Sequence, residues 1–199
     1  MQTLKSLELN LDFNYIKNEG GKTVGKMLEK MTNLESLSIG VASKNFGYLG
    51  FKYVVSGLQK LTQLKKLVFR CGVNRVGYNG AEITKEMLSQ MTQLEHLELG
   101  FIENYVGDDG IGLIAEHVAS MKTLKRVSLN LAFNDAKSYG LIKTIKSFLN
   151  RNFESLHLNL GHNEFRDNDV KLIENHLATL ISKNEDFTLD FTDTAISKT

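Results

Sequence analysis

The chain has 199 residues, of which 42% are apolar and 24% charged, and its formal net charge is +1. That is enough material for one well-buried domain, and the composition excludes disorder, a collagen-like repeat and a disulfide framework. The near balance of charge removes the long-range electrostatic case for nucleic acid or an acidic membrane surface, because such partners need a concentrated basic face. No stretch approaches the roughly 20 consecutive apolar residues of a membrane span, and Met1 leads into polar-apolar alternation instead of an export signal. The single cysteine, Cys71, cannot close an internal bridge, and no N-x-[ST] sequon occurs. The expected address is therefore cytoplasmic.

In rows of thirty residues, MQTLKSLELNL at 1, MTNLESLSIGV at 31, LTQLKKLVFRC at 61, MTQLEHLELGF at 91 and MKTLKRVSLNL at 121 align without a gap. A sixth copy, FESLHLNL, arrives one residue early, and a seventh, DFTLDFT, follows near 181. Units starting near 1, 31, 61, 91, 121, 150 and 181 predict a single domain over 1–199 in which each row buries its apolar face against the next. Leu7, Leu9 and Leu11 in the first row alternate at period two, as do Leu37, Ile39 and Val41, Leu67, Phe69 and Cys71, and their later counterparts. That period predicts a short strand with one buried face. Three residues beyond it stands asparagine in Asn14, Asn74, Asn104, Asn134 and Asn163, with Lys44 as the exception. A stack of such asparagines suits hydrogen bonding to the turn that leaves the strand. Glycine then recurs at Gly20, Gly50, Gly80, Gly110 and Gly140, replaced by Asp169, before helical spacing such as Val54 and Leu58 or Ile114 and Val118.

The succession L-x-x-L-x-L, asparagine, glycine and helix resembles the leucine-rich repeat, and the thirty-residue row with a full helix is similar to its ribonuclease-inhibitor-like type. The resemblance covers essentially the whole chain. It implies an α/β solenoid, a horseshoe with a concave parallel β-sheet and convex α-helices, here about seven strands and six helices. An extra L-x pair between strand and asparagine departs from the family pattern near Asp12, Gly72 and Ala132.

The position before each strand reads Lys5, Glu35, Lys65, Glu95, Lys125 and Glu154, so neighbouring rows bring opposite charges together. Such exposed pairs are weak individually and mainly penalise slipped registers. The last row carries Asp186, Asp190 and Asp193, which discourage further strand pairing, whereas the first row begins its strand without a preceding polar cap. Leu4, Lys5, Ser6, Glu8 and Asn10 are accordingly expected to form an assembly edge, covered by another subunit or by an upstream segment.

Between the inward leucines, alternate side chains point to the concave surface. Lys66, Val68, Arg70, His96, Glu98, Arg126, Ser128 and His157 form its chemically diverse centre and are the candidate protein-binding residues; small side chains in the second row leave room for a partner. The rim aromatics Tyr15, Phe46, Tyr48, Tyr78 and Tyr105 are assigned chiefly to core packing. Gly110, Gly112 and Ala115 fit a dinucleotide fingerprint on paper, yet Gly110 belongs to the repeat glycine column. His117 and His176 are read as solvent-facing helix residues, and the five scattered histidines suggest no metal site. No nucleophile elbow is present. No enzyme activity, cofactor or small-molecule substrate is expected. The expected function is a non-catalytic protein-protein interaction scaffold, a subunit of a larger assembly. The alternative is a reversible regulator that grips a small GTPase, a nuclease or another protein on the concave face. The Lys-rich composition without proline or tryptophan resembles repeat proteins of single-celled eukaryotes, which adds a ciliary or cytoskeletal address to the cytoplasmic one.

Overall fold

The computed structural model describes residues 3–44 and 46–194. Among them, strand and helix alternate without exception: β1 Ser6–Asn10, α1 Asn18–Leu28, β2 Ser36–Gly40, α2 Gly47–Leu58, β3 Lys66–Arg70, α3 Gly77–Ser89, β4 His96–Gly100, α4 Gly107–Ser120, β5 Arg126–Asn130, α5 Ser138–Phe148, β6 Ser155–Asn159, α6 Asp167–Lys183 and β7 Asp186–Asp190. The strands form one parallel sheet in chain order, β1 through β7. Register follows the repeat, so Leu7 faces Leu37, Leu37 faces Leu67, and Leu156 faces Phe187. The α/β solenoid expected from the period is thus the observed architecture.

Like side chains stack on like across the rows, and this builds the core. Leu37, Leu67, Leu97 and Leu156 are fully buried between the sheet and the helices, as are Ile39, Phe69 and Leu99 in the next column. Parallel strands repeat at about 4.8 Å, whereas packed helices need 8–10 Å, so the row with the narrower repeat takes the inner side of a curved stack. Curvature leaves the intervening strand residues on the inner surface and the helices outside.

The asparagine column fulfils its expected role over four rows. The Asn74 backbone N–H donates to Asn104 Oδ1 at 3.2 Å, Asn104 N–H to Asn134 Oδ1 at 3.2 Å, and Asn134 N–H to Asn163 Oδ1 at 3.0 Å. Each Nδ2 donates both to a carbonyl of its own row and to one of the row before; Asn104 reaches Phe101 O at 3.2 Å and Cys71 O at 3.1 Å. All four side chains are buried. They satisfy turn backbone that would otherwise be desolvated without partners.

The glycine column has a steric cause. A Cβ on Gly80 would lie 2.1 Å from Val76 Cγ2, and one on Gly110 would lie 2.4 Å from Val106 Cβ, so the turn residue packs directly on the helix start. In the sixth row Asp169 caps instead: its carboxylate accepts from the Arg166 backbone N–H at 2.8 Å and from Ser138 Oγ at 2.5 Å.

The added L-x pair is absorbed in a way the sequence does not announce. Non-glycine residues adopt left-handed backbone in these turns, among them Phe13, Val73, Glu103, Phe133 and His162 at φ between 53° and 62°. Each such residue costs roughly 1–2 kcal/mol. The cost is offset by extending the sheet ladder, for Phe13 N–H donates to Ala42 O at 2.7 Å, Val73 N–H to Ile102 O at 2.8 Å, and His162 N–H to Thr192 O at 2.8 Å.

Candidate functional site

Sheet register sets the inner surface residue by residue. Lys66, His96 and Arg126 stand side by side in the first inner-facing column, on β3, β4 and β5. In the next column Val68 lies between Ser38 and Glu98, and Ser128 lies between Glu98 and His157. Val68 is only 5% exposed, so it forms the apolar floor and not a projecting contact. In the third column Arg70 lies between Gly40 and Gly100. Its side chain crosses the space left by Gly100, where a Cβ would meet Arg70 Cγ at 3.6 Å, and its Nη2 reaches Glu98 Oε1 at 2.9 Å.

The charges are partly paired among themselves. Arg126 Nη2 lies 2.7 Å from Glu154 Oε2, so the last link of the ladder is made by the strand arginine in place of Lys125. Three earlier links follow the expected alternation, for Glu35 is held between Lys5 at 2.8 Å and Lys65 at 2.9 Å and Glu95 meets Lys125 at 2.6 Å, whereas Lys65 turns to Glu35 and makes no ion pair with Glu95 among the described residues. Hydrogen bonds from Lys5 and then Lys65 hold the Glu35 carboxyl down at about 2. Lys66 is exposed and, among the described residues, has no ion-pair partner. His96 is half-buried; desolvation, then Lys66 and Arg126, lower its pKa, against the opposing pull of Glu98.

His157 belongs to a separate network at the last two strands. Its Nε2 is 2.7 Å from Ser155 Oγ and 3.1 Å from Asp186 Oδ2, while Nδ1 is 2.6 Å from Thr188 Oγ1. A charge-stabilised hydroxyl nucleophile needs serine and carboxylate on opposite ring nitrogens. Here both sit on one nitrogen, so the cluster ties β6 to β7.

Three sequence readings need correction. His117 and His176 are not plain surface residues: each is half-buried, and His117 Nε2 and His176 Nδ1 are buried without a hydrogen-bond partner. Burial, and then Lys85, lowers the His117 pKa. The rim aromatics divide, because Phe46 is buried whereas Tyr15, Tyr78 and Tyr105 are 88%, 42% and 44% exposed. Phe13, at 80% exposure, and Phe133, stacked on His162 at 3.8 Å, join this rim and have no periodic signal of their own. Left-handed turn backbone turns both outward.

At the expected assembly edge, β1 pairs with β2 alone among the described residues. Ser6, Glu8 and Asn10 are exposed, Lys5 is engaged by Glu35, and Leu4 is 38% exposed. Leu7, Leu9 and Leu11 are only half covered, in contrast to their buried counterparts in the middle rows.

The glycines of the dinucleotide-like run serve helix packing: Gly110 accommodates Val106, and Gly112 accommodates the Lys143 stem. The strand order has no reversal at which a dinucleotide crevice would open. Among the described residues no group of three His, Cys, Asp or Glu side chains is placed to hold a metal ion, and no helix is long and apolar enough to cross a membrane. Two grooves of about 260 and 400 Å³ are lined by residues such as Leu88 and His117 in one and Lys65, Glu95 and Lys125 in the other, and by none of the inner-face candidates.

No protein-family model matches the chain, and no curated protein matches it. Among solved structures, the chain is similar to a crystal structure of a protein from Bacteroides fragilis. That similarity has 17% identity and a TM-score of 0.44, over 81% of this chain and 42% of that one. The chain thus spans less than half the length of that protein.

Proposed function

We propose that the chain is a leucine-rich-repeat protein of the ribonuclease-inhibitor-like type that acts as a non-catalytic protein-protein interaction scaffold, a subunit of a larger assembly in the cytoplasm. One observation carries this reading: in the turn that follows β1, Phe13 is 80% and Tyr15 88% exposed, and the preceding Leu7, Leu9 and Leu11 are only half covered. Large aromatic rings left exposed in one turn favour association with another polypeptide. A cilium or cytoskeletal complex fits such a subunit. The test is native-size fractionation of extracts from the cells that make the protein. Wild-type chain is expected in a high-mass fraction, and the F13S/Y15S double variant at the mass of the free chain with an unchanged melting curve. A wild-type chain that already runs free contradicts the proposal.

The second reading is a reversible regulator that grips a small GTPase, a nuclease or another protein on the concave face. The row of Lys66, His96 and Arg126 favours it, since three nitrogen-bearing side chains stand on adjacent strands there. Alanine at Arg70, Glu98 or Arg126 would then weaken binding by more than about 1 kcal/mol at one or more positions.

A further inference from the structure

We propose that the inner face holds an oxyanion site, formed over His96 by Lys66 and Arg126, that takes a carboxylate or phosphorylated side chain of a protein partner. This rests on the reading of the inner face as a working surface and adds the chemistry of what it takes.

Strand register is the first support. Lys66 pairs with His96 and His96 with Arg126 in the sheet, so three nitrogen-bearing side chains leave one face on adjacent strands. At about 4.8 Å per strand, the outer two are roughly 10 Å apart at their Cα atoms, and both positive charges act on the central imidazole from its two sides. In the other rows this column carries Ser6, Ser36, Ser155 and Asp186, so the concentration of cations is confined to the middle of the sheet.

Pairing is the second. The nearby carboxylates are already engaged: Glu98 by Arg70 at 2.9 Å and Glu154 by Arg126 at 2.7 Å. Lys66 keeps its whole ammonium available, and Arg126 keeps the donors that Glu154 does not use, because a guanidinium has five N–H groups. An incoming oxyanion would meet a point charge from Lys66, a planar donor fork from Arg126 and a ring N–H from His96. This combination suits phosphoryl or carboxylate oxygens.

Space and environment are the third. Ser36, Ser38 and Gly40 on the preceding strand are small, and Val68 supplies a buried apolar floor beside the cations. His96 is half-buried between Lys66 and Arg126, with Glu98 on its own strand as the one opposing charge. An anion above the ring reverses that balance and makes the imidazolium easier to form.

The test is NMR of the intact chain, labelled in both backbone amides and histidine rings, titrated with three short glycine-rich peptides that differ only at a central phosphoserine, glutamate or serine. The phosphoserine or glutamate peptide is expected to shift the His96 ring resonances and raise its pKa by about half a unit or more. K66Q and R126Q, both at exposed positions, should each weaken that binding at least about fivefold and leave the fold unchanged. Tighter binding of the phosphoserine peptide assigns a phosphorylated partner residue; equal binding of the two charged peptides assigns a carboxylate. Equal binding of the serine peptide overturns the proposal, as does a His96 ring unmoved by any peptide at millimolar concentration. Shifts at Ser36 and Arg70 with His96 unmoved would remove the oxyanion site and leave the inner-face reading standing. Cross-links from Lys125 to another chain, with no shift at His96, would do the same.

Discussion

The third to sixth rows and the first two rows are built from the same pattern and are held together differently. In the middle, Asn74, Asn104, Asn134 and Asn163 form a buried chain of hydrogen bonds that passes from each turn to the next. In the first row Asn14 is exposed and, among the described residues, its side chain reaches only its own row's Asp12 carbonyl at 3.2 Å; in the second, Lys44 takes the asparagine position, and Ser43 Oγ donates to Asn14 O at 2.9 Å. Close helix packing substitutes for the ladder there. A Cβ on Gly25 would lie 2.2 Å from the Tyr53 carbonyl oxygen, and one on Gly57 would lie 2.4 Å from the Gly25 carbonyl oxygen, so α1 and α2 meet backbone to backbone. A repeat therefore tolerates loss of its polar spine where small residues let neighbouring helices approach, and the turn released from the spine is the one that exposes Phe13 and Tyr15.

The sharpest way to break this comparison is to remove one asparagine from each region. N104A deletes a buried side chain with bonds to Asn74, Cys71 and Phe101 and should cost about 3 kcal/mol in urea unfolding, whereas N14A should change stability by less than about 0.5 kcal/mol. Equal effects would mean that the spine is not what distinguishes the rows. Glycine substitutions should reverse that order. G25A drives a methyl group into backbone and should destabilise by about 2 kcal/mol, with faster amide exchange in β1; G112A meets only the flexible Lys143 stem and should be neutral or gain about 0.5 kcal/mol from helix propensity.

Smaller effects sharpen the picture of the turns and the ladder. Arg75 is exposed at φ 52°, so R75G should raise the unfolding free energy by about 0.5 kcal/mol through relief of left-handed strain. Glu35 should produce the smallest change and one visible only in acid. Its folded pKa is depressed from 4.5 to about 2 by Lys5 and Lys65, so its contribution is complete above about 4.5 and fades as the pH falls toward 2. In E35Q, the stability difference from wild type should shrink across that interval, read from thermal midpoints in a pH series.

Most of the architecture was legible in the residues, because a thirty-residue period with leucines at spacing two leaves few ways to bury them. Strand register and the inward leucines follow directly from that period, and so do three of the five ladder links. The inner-face candidates lie where alternation puts them, though Val68 is covered by its neighbours. What periodicity could not convey was the turn backbone: Val73, Tyr105 and Phe133 carry no mark of left-handed geometry, since glycine and asparagine are its usual signal. The outward direction of Phe13, Tyr105 and Phe133 goes with that geometry. His117 and His176 were misjudged for a related reason, because helix spacing does not show how closely the neighbouring helix covers a half-buried face.

Cross-linking mass spectrometry on the native protein in its own cell extract tests the scaffold account most directly, by reading which lysines join another chain. The account predicts links concentrated at Lys5, Lys17 and Lys22, around the first row. Links confined to Lys66 and Lys125, with that row silent, would contradict it and put the concave face in its place.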